Sequence, residues 1–122
     1  MTNLFISLLV IIELLVVNHF VPVKMTAYSA RACETDSTPN ITASNKRVKE
    51  GYVALSRDLE RDFNLRFDDK INVHGIGTFE FQDRMHKRKR RQIDIFMKST
   101  KRALQFGVKK GFIVFKKKTE RS

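Results

Sequence analysis

The chain has 122 residues, 42% of them hydrophobic, 30% charged and 10% aromatic, and its 24 Lys and Arg outweigh 13 Asp and Glu for a formal charge of +11. That is the length of one domain, and ten Phe beside many Ile, Val and Leu suffice for a core, which excludes a disordered chain, a collagen-like repeat and a multidomain enzyme. A single cysteine, Cys33, excludes an internal disulfide and a cysteine-based metal cluster, so no cofactor is expected.

Residues 4–17 read LFISLLVIIELLVV, with only Ser7 and Glu13 polar, and the first basic residue is Lys24. As a helix this run spans about 21 Å, short of the roughly 30 Å hydrocarbon core, so residues 1–22 read as a signal peptide or membrane anchor. The expectation is export to the periplasm or cell envelope, with membrane attachment through this segment. Two features point the other way, toward a buried core element: Met1-Thr2-Asn3 has no basic side chain, and Glu13 interrupts the apolar run. Residues 23–122 are the expected domain. Beyond residue 23 the chain holds 24 basic and 12 acidic residues, a formal +12, so the basicity belongs to the domain and draws in polyanions.

Residues 24–29, 52–55, 70–74, 77–82, 92–97 and 111–116 read as strands, which makes six. Two short helices fit between them, LERDF after an Asp58 cap and TKRALQF after a Ser99 cap, the second ended by Gly107. His74-Gly75-Ile76-Gly77 reads as a hairpin turn. Many short strands with little helix predict a mostly β fold, a small barrel or sandwich. Residues 30–49 are polar and rich in turn formers, and a long loop of this kind is usually functional or mobile.

Residues 84–91, RMHKRKRR, hold six Lys or Arg in eight positions between two strand candidates. The run reads either as a solvated loop or as a contact site for anionic envelope polymer. No aromatic residue interleaves it, so nucleic-acid binding is disfavoured. Asp83 and Asp94 flank the run. Strand parity puts Phe79, Phe81 and Asp83 on one face, and Asp94 with Phe96 on another, so each carboxylate continues an apolar row, a position that favours its neutral, proton-donating form. Satisfaction of each carboxylate by an arginine or a backbone amide is the alternative. His19, His74 and His86 lack metal-binding spacing, and no metal site is expected. Ser29, Ser37 and Ser44 lack a nucleophile context, and Cys33 reads as a small buried hydrophobe.

These residues together resemble the 3D (Asp-Asp-Asp) domain family of bacterial cell-wall proteins, which have a double-psi β-barrel similar to that of membrane-bound lytic transglycosylase A. The resemblance covers about residues 23–116. Its carriers, in order, are Thr26-Ala27-Tyr28, Ile41-Thr42-Ala43-Ser44, Val53-Ala54-Leu55-Ser56, Gly75-Ile76-Gly77, Gln82-Asp83, Ile93-Asp94-Ile95-Phe96 and Ala103 with Phe106-Gly107. Their order and spacing are specific, whereas no single one is.

The resemblance implies a small six-stranded double-psi barrel with two short helices and a lytic transglycosylase-like enzyme acting on peptidoglycan glycan strands as a monomer. Asp94 matches the acid/base, and Asp83 a second carboxylate that orients substrate and raises the acid's pKa. Substrate contacts are implied for Tyr28, Asp36, Thr42, Arg84 and His86. The family pattern has an Asp where Ser56 stands and Asp-Thr-Gly where Asp83-Arg84-Met85 stands, so the third carboxylate is displaced or lost, with Asp36 its first candidate and Asp58 its second. A lytic transglycosylase uses the substrate's own C6 hydroxyl as nucleophile, so one acid/base serves both steps. From a different class, the same groove and charge suit a non-catalytic cell-wall binding module.

Overall fold

The computed structural model describes residues 16–30 and 40–118. Its elements in chain order are β1 (Val16–Tyr28), β2 (Tyr52–Leu55), α1 (Arg57–Asp62), β3 (Lys70–Val73), β4 (Gly77–Arg84), β5 (Gln92–Phe96), α2 (Thr100–Phe106) and β6 (Lys109–Lys118). The strands close into a barrel in the order β1-β5-β2-β4-β3-β6, so the expected six strands and two helices are present. β1 with β5 and β2 with β4 run parallel, and the other pairings are antiparallel. Among the described residues no helix is long and apolar enough to cross a membrane.

Alternation along the strands decides what the barrel encloses. Val21, Val23 and Met25 of β1, Val53 and Leu55 of β2, Ile71 and Val73 of β3, Phe81 of β4, Ile93 and Ile95 of β5, and Ile113 and Phe115 of β6 share one buried cluster. Because successive strand side chains point to opposite faces, the intervening residues, including Thr26, Ala54 and Asp94, line the outside of the barrel. Gly111 is packed tightly from within: a Cβ there would meet the Met25 Cε at 2.8 Å.

β1 is longer than the sequence suggests. It begins at Val16 and pairs with β6 from Val16↔Lys118 to Met25↔Lys109. Residues 16–22, inside the span expected to be a leader, are therefore barrel strand, and Val21 is 5% exposed. The apolar run of residues 4–17 overlaps the start of β1, and VVNHFVP at residues 16–22 shows no clear period-two pattern to mark the strand. Residues 1–15 lie outside the described residues.

The helix boundaries test local capping. Ser99 caps α2 as expected, its side chain accepting from the Arg102 N–H at 3.2 Å, and Gly107 at φ 65° turns the chain away. α1 starts earlier than expected, with Ser56 at the cap position and Asp58 inside the first turn, so Asp58 is not the cap. The hairpin turn between β3 and β4 lies at residues 74–76, closed by the Ile76 N–H on the Val73 carbonyl at 2.9 Å with Gly75 at φ 79°.

Because Val21 fills the core, Val21→Ala should destabilise the protein by about 1–3 kcal/mol. Urea unfolding monitored by circular dichroism checks this; a midpoint equal to wild type would remove residues 16–22 from the barrel.

Candidate functional site

Strand register assembles the site. Ala54 on β2 pairs with Asp94 on β5 and with Asp83 on β4, and Asp94 in turn pairs with Thr26 on β1. Directly paired residues share a face, so Asp83, Ala54, Asp94 and Thr26 form one row across four strands on the outside of the barrel. The two aspartates flank β2, which sets their Cα atoms about 10 Å apart, two strand spacings. The methyl of Ala54 is the floor between them.

This row exists because β4 carries an irregularity. Val53 pairs with Phe81, but the next β2 residue, Ala54, pairs with Asp83, so Gln82 is an extra residue. The bulge corrects the parity expected from sequence: Phe81 is in the core, yet Asp83 is not on the continuation of its face. Asp94 likewise lies opposite the core residues Ile93 and Ile95, on the face it shares with Gln92 and Phe96, both buried from outside the barrel.

Asp94 is half-buried and held by a short relay. Gln92 Nε2 donates to Thr26 Oγ1 at 3.0 Å, and Thr26 Oγ1 donates to Asp94 Oδ1 at 3.0 Å. Burial raises the pKa of Asp94 above the usual carboxylate value; the Thr26 hydrogen bond and the charge of Lys89 oppose that shift, and the charge of Asp83 adds to it. Burial wins, so the group is biased toward its protonated form.

Asp83 has a different environment. Its Oδ1 accepts from the backbone N–H groups of Ala43 and Arg84, both at 2.9 Å. Ala43 is presented by a tight turn in which the buried Thr42 takes the Lys46 N–H on Oγ1 at 3.1 Å and lies 2.8 Å from the Ser44 hydroxyl, with Asn45 at φ 67°. Ser44 N–H docks the same turn on the Gln82 carbonyl at 3.0 Å. Thr42 thus shapes the loop that grips Asp83.

Asp58, the second candidate for a third carboxylate, is remote from the row in function. It is buried at the start of α1 and accepts the Arg91 N–H at 3.0 Å. Burial would raise its pKa, but hydrogen bonds from Ser56, Arg91 and Leu59 and the Arg91 charge together lower it. Ser56, where the family pattern has an aspartate, is fully buried and accepts the Gln92 N–H on Oγ at 3.0 Å. Both residues anchor the entry to β5.

The remaining expected contacts are dispersed. Tyr28 packs edge-on to Phe96, ring centroids 5.4 Å apart. Arg84 forks onto Glu60, at 2.7 and 2.8 Å, and lies over the Phe67 ring, which draws it toward α1. His86 Nδ1 accepts from the Arg88 N–H at 3.1 Å within the exposed basic loop. Asp36 and Cys33 lie outside the described residues. A cavity of about 690 Å³ lies beyond Phe96, lined also by Arg47, Lys49, Glu50 and Lys98, and neither aspartate of the row borders it. Among the described residues no group of three or more His, Cys, Asp or Glu is placed to hold a metal ion.

Sequence reasoning missed Ala54 and Gln92 as site residues. Neither has reactive chemistry; register alone puts one between the carboxylates and the other behind Thr26.

No protein-family model matches the chain, and no curated protein matches it.

Asp94 and Asp58, shifted in opposite directions, should give opposite pH signatures. Asp94 is raised, so its stabilising contribution is full below about pH 4, the unfolded value, and is lost as pH rises through the folded value. Asp94→Asn should melt with wild type at low pH and above it at neutral pH. Asp58 is lowered, so its contribution is full above about pH 4 and is lost as pH falls through the folded value. Asp58→Asn should cost about 1–3 kcal/mol at neutral pH and converge on wild type in acid. Melting curves of both variants across pH 3–8 check the signs.

Proposed function

We propose that the protein is a cell-envelope enzyme of the lytic transglycosylase type, built on a double-psi barrel like that of the 3D domain family, with Asp94 as its acid/base. The observation that carries this reading is the row Thr26, Asp94, Ala54, Asp83 with the carboxyl of Asp94 biased toward its protonated form. The closed six-stranded barrel with parallel β1/β5 and β2/β4 pairs is consistent with the same fold.

In this reading a peptidoglycan strand crosses the row over Ala54. Thr26 occupies Asp94 Oδ1, so the proton sits on Oδ2 and passes to the glycosidic oxygen of the MurNAc–GlcNAc bond as that bond breaks. The C6 hydroxyl of the same MurNAc then attacks C1, its proton returns to Asp94, and a 1,6-anhydro product leaves with no water consumed. Asp83 orients the sugar, and its charge adds to the upward shift of Asp94 that burial causes. Export through the apolar N-terminal run would bring the protein to this substrate.

Asp94→Asn should lower release of 1,6-anhydro-muropeptides from purified sacculi by about 10²–10⁴-fold, the usual contribution of a positioned acid/base. Asp83→Asn should lower it less and move the alkaline limb of the pH profile, which follows deprotonation of Asp94, to lower pH. Wild-type turnover in Asp94→Asn, or a folded wild type that releases no anhydro product at any pH, sinks the enzyme reading.

A second reading, a cell-wall binding module, is favoured by the exposed cations of the basic loop and by the engagement of Asp83 with two backbone amides. Replacing Lys87, Arg88, Lys89 and Arg90 together by Gln should weaken binding to acidic envelope polymer and flatten its salt dependence while the fold survives. Unchanged co-sedimentation at low salt would reduce the run to a solvated loop.

A further inference from the structure

The outer face of the β1–β6 pair is apolar in the middle and cationic at both ends. Register sets Phe20 beside Val114 and Pro22 beside Phe112, with Lys24 beside Lys110 at one end and Asn18 beside Lys116 at the other. Phe20 is 65% exposed, and all of the lysines named are exposed. Strand parity requires this: the inward partners of the same strands, Val21, Val23, Ile113 and Phe115, are core, so the alternate residues face solvent. An exposed Phe between lysines on a +12 domain suits an amphipathic, negatively charged occupant.

We propose that this face docks the barrel onto an anionic lipid bilayer, with Phe20 entering the boundary between headgroups and acyl chains and Lys24, Lys110 and Lys116 meeting the lipid phosphates. Charge selects this occupant. A second copy of the chain laid face to face sets lysines over lysines in either orientation, because both ends carry the same sign. A glycan finds no platform of coplanar rings here: His74 covers Phe112 in a parallel stack at 4.3 Å, and the Phe20 ring is tilted by 48° from Phe112. An anionic bilayer supplies an apolar interior beneath a negative surface, the complement of Phe20 and Pro22 bounded by lysines. The face lies on different strands from the Asp83–Asp94 pair, so the proposal is independent of the catalytic reading.

The chain contains no Trp, so Phe20→Trp in the full-length protein is a sole reporter at the centre of the face. With vesicles of equal parts phosphatidylglycerol and phosphatidylcholine, its emission should shift to the blue and be quenched by bromine on the acyl chains. Vesicles of phosphatidylcholine alone should do neither, and high salt should reverse both effects. Adding Lys24→Gln, Lys110→Gln and Lys116→Gln should lower partitioning by about 10²-fold, roughly fivefold per lysine. Four results overturn the proposal. They are absence of vesicle binding, vesicle binding with the Trp unquenched (attachment through residues 1–15), a blue shift without lipid (cover by the chain itself or a second copy), and a shift with sacculi but not with vesicles (a glycan surface).

Discussion

Arg91 stands at the junction of three segments, and the geometry of the site depends on how it is held. Its backbone is at φ 45°, a left-handed conformation that costs a non-glycine residue about 1–2 kcal/mol. Its N–H is taken by the buried Asp58, its carbonyl accepts the Lys24 N–H of β1 at 2.9 Å, and its guanidinium reaches Asp62 at 3.2 Å and covers Phe63. Charge-assisted bonds to a buried carboxylate are strong enough to hold such a turn. The next residue, Gln92, begins β5, and its N–H is fixed by Ser56. Two residues further on is Asp94, so the orientation of the carboxyl with the raised pKa is inherited from the turn at Arg91.

The same arrangement explains how a dense cationic run is tolerated. At its start Arg84 is spent on Glu60 and Phe67, and at its end Arg91 is spent on Asp58, Asp62 and Phe63. The cations between are exposed, where repulsion is screened by water and salt. One of them, Lys89, still acts on Asp94 and restrains its pKa. Substrate-sized anions that gather at this loop would therefore alter the proton affinity of Asp94 as well as the local concentration of ligand.

What was legible in the sequence follows the range of the interaction involved. β2, β5 and α2 lie where alternation and capping put them, because Val53, Leu55, Ile93 and Ile95 and the Ser99–Gly107 bracket act within a few residues. The start of β1 was hidden because the apolar run overlaps it and residues 16–22 show no clear period-two pattern. The bulge at Gln82 has no local signal, since pairing with β2 creates it, and it reverses the face on which Asp83 lies. Asp58 looked like a cap because its true partner, Arg91, is distant in sequence. Both aspartates could be named in advance; the alanine that brings them to a common row could not.

Closure of the barrel joins the first described strand to the last, in a register that runs from Val16 beside Lys118. Contacts of such sequence separation form late and make folding slow. On the ribosome, β1 is made before any of its partners, and its inward row of Val21, Val23 and Met25 stays without cover until β6 has emerged. No N-terminal fragment contains the strand that seals that row. Folding of this barrel therefore waits until β6 is available to pair with β1.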